Sequence, residues 1–371
     1  MKILVAPAAM KGSLSALEMA DAIEEGLINA GHNHIVKLPV ADGGDDTAIL
    51  LASKYKAKFI STEVFDPLER TISSGFYLNH DGIAIVEMAA ASGLRLLKPV
   101  EYSALNTTSF GTGQLIKKAV EHGAKKIILG LGGSATVDAG MGALIALDFR
   151  FFDGREIVLK GCGLNTGKVI GIEKPLDKEF LHQLEIIILS DVNNPILGKN
   201  GSAAIFAPQK GAAPNEVKIL TKNLSLFTGV IFQETGVDVS NIKGGGAAGG
   251  IAASFHALLG AMLVTGSDFI LKALDFYDAA KDCDVIITGE GSIDQSSFSG
   301  KATGEVLNFG TIIGIPVYAI CGVSKINEDQ NFKAVSSLVD QNISVNEAMN
   351  NSYEKVVIKA MQLGKYLKSS Q

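Results

Sequence analysis

The chain has 371 residues, enough for two domains with sizeable hydrophobic cores. Hydrophobic residues make up 47% of it and charged residues only 19%, which excludes a disordered chain or a coiled coil. The 39 acidic and 33 basic residues give a formal net charge of -6, and no basic run could follow a phosphate backbone, so the sequence argues against nucleic acid as a partner. The 41 glycines are gathered in a few stretches, which predicts functional loops.

The cysteines and the apolar segments indicate a cytoplasmic protein without a membrane span. A sparse, odd number of cysteines is typical of a reducing compartment, and they lie far apart at Cys162, Cys283 and Cys321. The first apolar stretch is broken by Pro7 and stopped by Lys11, so it predicts a strand and not a signal peptide. The uncharged segment 244–267 is long enough to cross a bilayer, but its seven glycines favour a helix packed inside an α/β protein.

Short β-branched runs alternate with longer amphipathic stretches, the pattern of a parallel sheet covered by helices. The predicted strands are 3–6, 36–40, 127–130, 186–189, 285–288, 317–321 and, more weakly, 335–339. The predicted helices are 15–30, with Ser13 or Ser15 as N-cap, 113–122 and 142–147, followed by a surface helix after Ala348. Between Lys58 and Met88, shorter alternating segments separated by turn residues predict antiparallel hairpins.

This mixture of patterns predicts an α/β protein of two domains. Both chain ends, residues 1–52 and 258–371, would form a doubly wound parallel sheet. Residues 53–257 would form an inserted mixed α/β domain. A cleft between two domains is the usual place for a small-molecule site, so we expect the active site there.

A glycine-rich loop follows the strand predicted at 127–130 and runs into a helix. Backbone N–H groups of such a loop and the positive end of a helix favour an anion, most often a phosphate. Residues 130–135 also match the dinucleotide fingerprint G-x-G-x-x-A, but residues 244–249 satisfy the same pattern, so the match discriminates little. We expect an anion to be bound by Gly130, Gly132, Gly133 and Ser134, with tight helix packing without a ligand as the alternative.

Acidic residues recur at predicted strand ends beside glycine or other turn-forming residues. The three clusters contain Asp42 and Asp45, Asp191 with Asn193 and Asn194, and Glu290 with Asp294. Because ligands bind at the carboxyl ends of parallel strands, these side chains could meet in one cleft. Oxygen ligands of this kind suit Mg²⁺, although each aspartate could instead serve only as a turn former or N-cap.

Lysines beside glycine complement the acidic clusters. They are Lys11, Lys210 and Lys301, and such charges neutralise a transferring phosphoryl group, although a single lysine is more often a solvated surface residue. No G-x-x-x-x-G-K-[ST] segment occurs, which excludes a Walker-type NTPase, and the protein-kinase loop motifs are absent. The six histidines lie outside these clusters and there is no G-x-S-x-G elbow, so neither a zinc site nor a serine triad is predicted.

The order and spacing of these motifs resemble the bacterial glycerate kinase family of type I, the glycerate 2-kinase group. The matching segments are KGSLS at 11–15, PVADGGD at 39–45, VEMAAASGL at 86–94, GTG at 111–113, GGSAT at 132–136, DVNNP at 191–195, PQKGA at 208–212, GAAGG at 246–250 and TGEG at 288–291. No single motif is specific for this family, but so many matches in the same order along the chain are specific for it.

The resemblance implies phosphorylation of D-glycerate by ATP and Mg²⁺, usually to 2-phosphoglycerate rather than 3-phosphoglycerate, in glycerate catabolism. It implies a flavodoxin-like, Rossmann-like domain from both chain ends and an inserted domain similar to restriction endonucleases. We expect Asp191, Asp42 and Lys11 to be catalytic, and the two aspartates are also the candidates for holding Mg²⁺. No nucleic acid or membrane partner is expected, and a homodimer is the candidate assembly.

Four positions depart from the family pattern. Ala8 stands where Asp or Asn is common, Asp46 where a glycine is usual, Val137 where Asn is common, and Ser296 where Gln is common. We expect these departures to change the ligand contacts of their loops more than the activity.

Two alternatives stay open at this stage. One is an NAD(P)-dependent hydroxy-acid dehydrogenase, which would use the glycine fingerprint and Asp148, 18 positions after Gly130. The other is a non-catalytic protein in which the same loops bind a small anion. Turnover of ATP would separate the kinase from both.

Overall fold

The computed structural model describes residues 1–44, 46–175, 184–298, 300–326, 332–340 and 343–369. The chain forms two compact units: a terminal unit, Met1–Leu51 with Thr265–Gln371, and a middle unit, Ala52–Val264. In chain order the strands are β1 (Ile3–Val5), β2 (Ile35–Lys37), β3 (Lys58–Phe65), β4 (Thr71–Leu78), β5 (Ile83–Glu87), β6 (Lys126–Gly130), β7 (Arg150–Phe152), β8 (Gly171–Glu173), β9 (Glu185–Leu189), β10 (Met262–Val264), β11 (Val285–Thr288), β12 (Ser292–Ile293), β13 (Val317–Cys321), β14 (Val323–Ser324) and β15 (Ala334–Ser337).

The helices connect and cover these strands. In chain order they are Ala16–Asn29, Thr47–Tyr55, Ala89–Ser92, Phe110–Glu121, Met141–Ala146, Gly163–Thr166, Ser202–Phe206, Pro214–Thr235, Ile251–Leu259, Gly266–Ala273, Phe276–Lys281, Ala302–Ile313, Val345–Asn350 and Ser352–Ser369. Short 3₁₀ helices lie at Leu94–Leu96, Pro99–Glu101, Pro208–Lys210, Ala247–Gly250 and Gln295–Phe298. No helix of the described residues is both long and apolar enough to cross a membrane.

The terminal unit is built on a parallel five-stranded sheet in the order β2-β1-β11-β13-β15. Ile3 and Val5 pack on one face with helices Ala16–Asn29 and Ser352–Ser369, and Leu4 packs on the other face. The strands β1, β11 and β13 are wholly buried, as strands covered on both faces should be. The predicted parallel sheet from both chain ends is therefore confirmed.

The middle unit is built on a mixed six-stranded sheet in the order β10-β9-β6-β5-β4-β3. The pairs β3–β4 and β4–β5 are antiparallel, which confirms the hairpins predicted between Lys58 and Met88, and the other neighbouring pairs are parallel. The sequence places a domain boundary at 257/258, whereas β10 pairs with β9 and extends this sheet to Val264. Segment 244–267 is divided between helix Ile251–Leu259 and β10.

The sequence predicted a surface helix near the C-terminal end of the chain. The helix found there is instead packed against another helix along one face. Ser352–Ser369 buries Val356, Ala360 and Leu363 against helix Ala16–Asn29. At Gly26 the two helices approach so closely that a Cβ atom would lie 2.3 Å from the Val357 carbonyl oxygen. Only glycine permits that approach, so this helix pair joins the two ends of the chain.

Asp46 occupies a backbone conformation that favours glycine. Its φ is +66°, and aspartate is among the few other residues that enter the left-handed region readily. Its Oδ2 accepts a hydrogen bond of 2.6 Å from the Ala16 N–H in the first turn of helix Ala16–Asn29. The same turn has a capping box formed by Ser15 and Glu18. The departure at position 46 therefore replaces a flexible residue with an additional helix contact.

Replacing Asp46 by alanine should destabilise the protein. Asp46→Ala removes the acceptor and keeps a Cβ at positive φ, so we expect the free energy of unfolding to fall by about 1–2 kcal/mol. Asp46→Asn keeps both an acceptor and the tolerance for positive φ, and should remain within about 0.5 kcal/mol of the natural protein. Urea unfolding measures both values. An alanine variant as stable as the asparagine variant would contradict this role.

Candidate active site

The terminal unit contains a cavity of about 500 Å³ at the carboxyl ends of all five parallel strands. The segments that line it follow the strands: residues 8–13 after β1, 41–42 after β2, 290–294 after β11, 322–325 after β13 and 338–339 after β15. In doubly wound sheets this is the edge where ligands bind. The fold thus collects loops that are far apart in the sequence.

Among the described residues, six charged side chains line this cavity. Three are the lysines Lys11, Lys301 and Lys325, and three are the carboxylates Asp42, Glu290 and Asp294. The sequence predicted five of them as site residues and missed Lys325, although its place just after a strand end, beyond β14, was a usable signal. Three cations and three anions in one cavity suit a ligand that carries both phosphate and metal.

The surroundings of Glu290 in this cavity raise the pKa of its carboxyl group. Burial raises its pKa, and the nearby charges of Asp42 and Asp294 raise it further, against a hydrogen bond from Ser297 and the charge of Lys301. The Lys301 Nζ lies 3.9 Å from one carboxyl oxygen, and the other, Oε1, is buried and accepts no hydrogen bond from the described residues. A buried unpaired oxygen in a cavity is suited to a polar group of a ligand.

Two of the predicted aspartates also form local turns. Asp294 accepts hydrogen bonds from the Ser296 N–H at 2.8 Å and the Ser296 hydroxyl at 2.6 Å, which lowers its pKa. Asp42 accepts a bond of 3.2 Å from the Gly44 N–H. The turn-former interpretation therefore holds for both residues, and both still line the cavity. Asp45 lies outside the described residues.

In the middle unit, the glycine loop and the Asp191 segment emerge side by side. The strands β6 and β9 are parallel neighbours, and Gly130 pairs with Leu189 at their carboxyl ends. The loop 131–134 follows the first strand and Asp191 follows the second. Asn193 is exposed, and the Asn194 side chain donates a bond of 2.8 Å to the Asn200 carbonyl oxygen. The structure thus brings two of the predicted clusters together at one edge.

Lys210 lies buried against the glycine loop, with only 3% of the residue exposed. Its Nζ donates to the Ser134 hydroxyl at 2.8 Å and to the Thr136 carbonyl oxygen at 2.7 Å. Burial lowers its pKa to about 7, although the charge of Asp138 opposes the shift. Lys210 is therefore a buried residue that holds the loop by hydrogen bonds, and it is not a solvated surface lysine.

Asp138 is a buried residue that the sequence did not single out as part of the site. Its carboxylate accepts hydrogen bonds from the Ser109 N–H and hydroxyl and from the N–H groups of Gly140 and Gly142, at 2.7–3.2 Å. Burial raises its pKa, and these hydrogen bonds oppose that rise. It fixes the end of the glycine segment to the start of helix Phe110–Glu121. Its place in the sequence GGSATVDAG was the available signal.

The glycine segment runs from β6 into a helix, as the sequence predicted, but its loop 131–134 does not itself adjoin the N-terminus of that helix. The next helix begins only at Met141 and has six residues. The loop is therefore not the first turn of a helix, and it lacks the direct strand-turn-helix continuity of a dinucleotide fingerprint. Asp148, which the dehydrogenase alternative requires at a ribose, forms a surface ion pair with Lys117 at 2.7 Å. Both observations weaken that alternative.

Carboxylates suited to a hard cation occur in both units. Among the described residues, no group of three or more His, Cys, Asp or Glu side chains could by itself hold a metal ion. Mg²⁺ usually binds through one or two carboxylates, several waters and the phosphates of a substrate. In the terminal unit, Asp42 and the unpaired oxygen of Glu290 fit that pattern. In the middle unit, Asp191 supplies a carboxylate of the kind that Mg²⁺ prefers.

The chain is similar over its whole length to proteins named as glycerate kinases. The model of the glycerate kinase family matches residues 3–368. A glycerate kinase of Haemophilus influenzae is 38% identical, with 99% of each chain covered, and a glycerate 2-kinase of Escherichia coli is 39% identical, with 96% of this chain and 95% of the other covered. The crystal structure of a putative glycerate kinase 2 from Salmonella typhimurium superposes with a TM-score of 0.86 at 37% identity, covering 100% and 99% of the two chains. The chain belongs to the glycerate kinase family.

Proposed function

We propose that the chain transfers the γ-phosphoryl group of ATP to the carbon-2 hydroxyl of D-glycerate. Its family membership makes it a glycerate kinase, a phosphotransferase that uses ATP. The choice of carbon 2 is supported by the similarity to a protein named glycerate 2-kinase. The observation that carries the proposal is the cavity in which three lysines and three carboxylates meet at the strand ends.

In the terminal unit, Lys11, Lys301 and Lys325 would neutralise the phosphates of the nucleotide. Phosphoryl transfer needs mostly positioning and charge neutralisation, which lysines lining a partly enclosed cavity supply. Asp42, with Glu290 beside it, would hold Mg²⁺, which when bound neutralises phosphate charge. The unpaired oxygen of Glu290 supports this assignment.

In the middle unit, the glycine loop and Asp191 would act on glycerate. Gly132, Gly133 and Ser134 would bind the substrate carboxylate, with Asn193 and Asn194 close to the same strand edge. Asp191 would accept the hydroxyl proton as the new P–O bond forms and the bond from the γ-phosphorus to ADP breaks. Lys210 would supply positive charge from beneath the loop, because a bound anion favours its protonated form.

The two units would correspond to two domains with known folds. The strand order of the terminal unit is 2-1-3-4-5 in its own numbering, and this order supports a flavodoxin-like domain. The mixed sheet of the middle unit is consistent with the inserted domain implied by the family.

We propose a cytoplasmic location for the enzyme. The three cysteines are buried and free, and none forms a disulfide. Free thiols are typical of proteins that stay in a reducing compartment. The substrates, ATP and glycerate, are also small molecules that require no membrane or nucleic acid partner.

The reaction and its position can be read from one spectrum. Incubation with ATP, Mg²⁺ and D-glycerate should give a new monoester signal in ³¹P NMR, split into a doublet by the single proton on carbon 2. A triplet would place the phosphate on carbon 3 and overturn the regiochemistry. Intact ATP after prolonged incubation would contradict the kinase activity and leave the anion-binding alternative.

Replacing the proposed base should remove most of the activity. Asp191→Asn keeps the size of the side chain but cannot accept the proton, so we expect kcat to fall by roughly 10²–10⁴-fold with folding retained. Steady-state kinetics and a thermal melt measure the two effects. Asp238→Asn, an exposed aspartate of the same unit, is the matched control. A near-normal kcat would remove Asp191 from the mechanism.

The buried lysine should make stability depend on pH. The folded state releases the Lys210 proton above a pKa of about 7, whereas an unfolded lysine keeps it up to about 10.4. Relative to Lys210→Met, the natural protein should therefore gain about 1.4 kcal/mol of unfolding free energy for each pH unit between 7 and 10. Urea unfolding at pH 8 and 9 measures this gain, with the exposed Lys222→Met as control. A constant difference would mean that Lys210 stays protonated.

A further inference from the structure

We propose that the apolar side of the terminal-unit cavity binds the purine base of the nucleotide, an inference that rests on the proposed kinase function. This side, called the apolar wall below, consists of Val323, Leu338, Val339, Val345, Ala348 and Met349. It follows the ends of β13 and β15 and continues onto helix Val345–Asn350. The charged residues described above line the same cavity.

The size of the cavity exceeds what glycerate needs. A volume of about 500 Å³ is typical of sites for drug-sized ligands, and a three-carbon acid would fill only a small part of it. Glycerate is also polar at every carbon, so an apolar wall would contribute nothing to its binding and would desolvate its hydroxyl groups. The wall therefore favours a ligand with a large apolar portion.

Two side chains of the wall are exposed although they are apolar. Val345 is 50% exposed and Met349 is 41% exposed, while Leu338 and Ala348 behind them are buried. A flat aromatic base laid on these side chains would remove their surface from water, and methionine sulfur packs favourably on aromatic rings. Covering these two side chains favours a flat aromatic base such as a purine as the ligand of the wall.

The apolar wall directly adjoins the loop that carries Lys11. The Ser13 hydroxyl donates to the Met349 carbonyl oxygen at 3.4 Å, and a Cβ atom on Gly12 would lie 3.3 Å from the Met349 Cε. A nucleotide with its base on the wall would thus have its phosphates within the same cavity as the lysines. The cavity therefore offers apolar side chains for a base and charged side chains for phosphates, which are two parts of a nucleoside phosphate.

The test replaces the two exposed side chains of the wall. In the double variant Val345→Ser with Met349→Ser, calorimetry measures the Kd of magnesium ADP and of magnesium tripolyphosphate, which carries phosphates without a base. Steady-state kinetics measure the KM of ATP and of glycerate. Ile312→Ser, which changes a 72% exposed apolar residue of the same unit outside the cavity, is the matched control. Thermal melts confirm that each variant is folded.

We expect the double variant to raise the Kd of magnesium ADP about tenfold and the KM of ATP by a similar factor. The reason is that the two serines remove apolar surface that would contact the base. Tripolyphosphate binding and the KM of glycerate should stay within twofold of the natural protein. Equal weakening of both phosphate ligands, unchanged ADP binding, or a rise confined to the KM of glycerate would each overturn the inference. Failure of the natural protein to phosphorylate glycerate would instead overturn the proposed function, which calorimetry with ADP does not depend on.

Discussion

The burial of both faces of the terminal sheet is the constraint on which the site of that unit depends. Because helices cover each face, the side chains within β1, β11 and β13 are buried and mostly apolar, and no candidate site residue lies in these strands. The charged groups that line the cavity lie in the segments beyond the strand ends. Since all five strands run in parallel, those segments open on one edge, and charges from positions as distant as Lys11 and Lys325 line one cavity.

The middle unit differs from the terminal unit, because it buries an ionisable side chain, that of Lys210, inside the protein. Lys210 has lost its hydration, and two hydrogen bonds and the field of Asp138 compensate for it. Asp138 is itself stabilised by four donors from loop backbone and Ser109. These two residues help to order the glycine-rich segment, together with Leu131 and Val137, which pack into the core of the middle unit. The same rigidity would preorganise the loop for an anion.

The sequence predicts features that local chemistry decides. Helix Ala16–Asn29 follows from Ser15 and Glu18, β11 follows from the β-branched run VIIT, and β13 follows from the apolar run VYAIC. Features that depend on tertiary contacts are not visible in it. The short strand β10 joins the middle sheet only because β9 offers an edge, and the burial of Lys210 depends on packing around a distant loop. The sequence predicts which strand ends are followed by charged residues. It does not predict which of those residues are buried away from water.

The pairing of the two chain ends has a consequence for synthesis on the ribosome. Ile3 pairs with Val285, and the first helix of the chain packs on the last one through Gly26. The emerging N-terminal strand must therefore wait, with part of its apolar surface uncovered, while the whole middle unit is translated and free to fold first. We expect the nascent chain to rely on chaperones for longest at its first fifty residues, even though they are the oldest part of it.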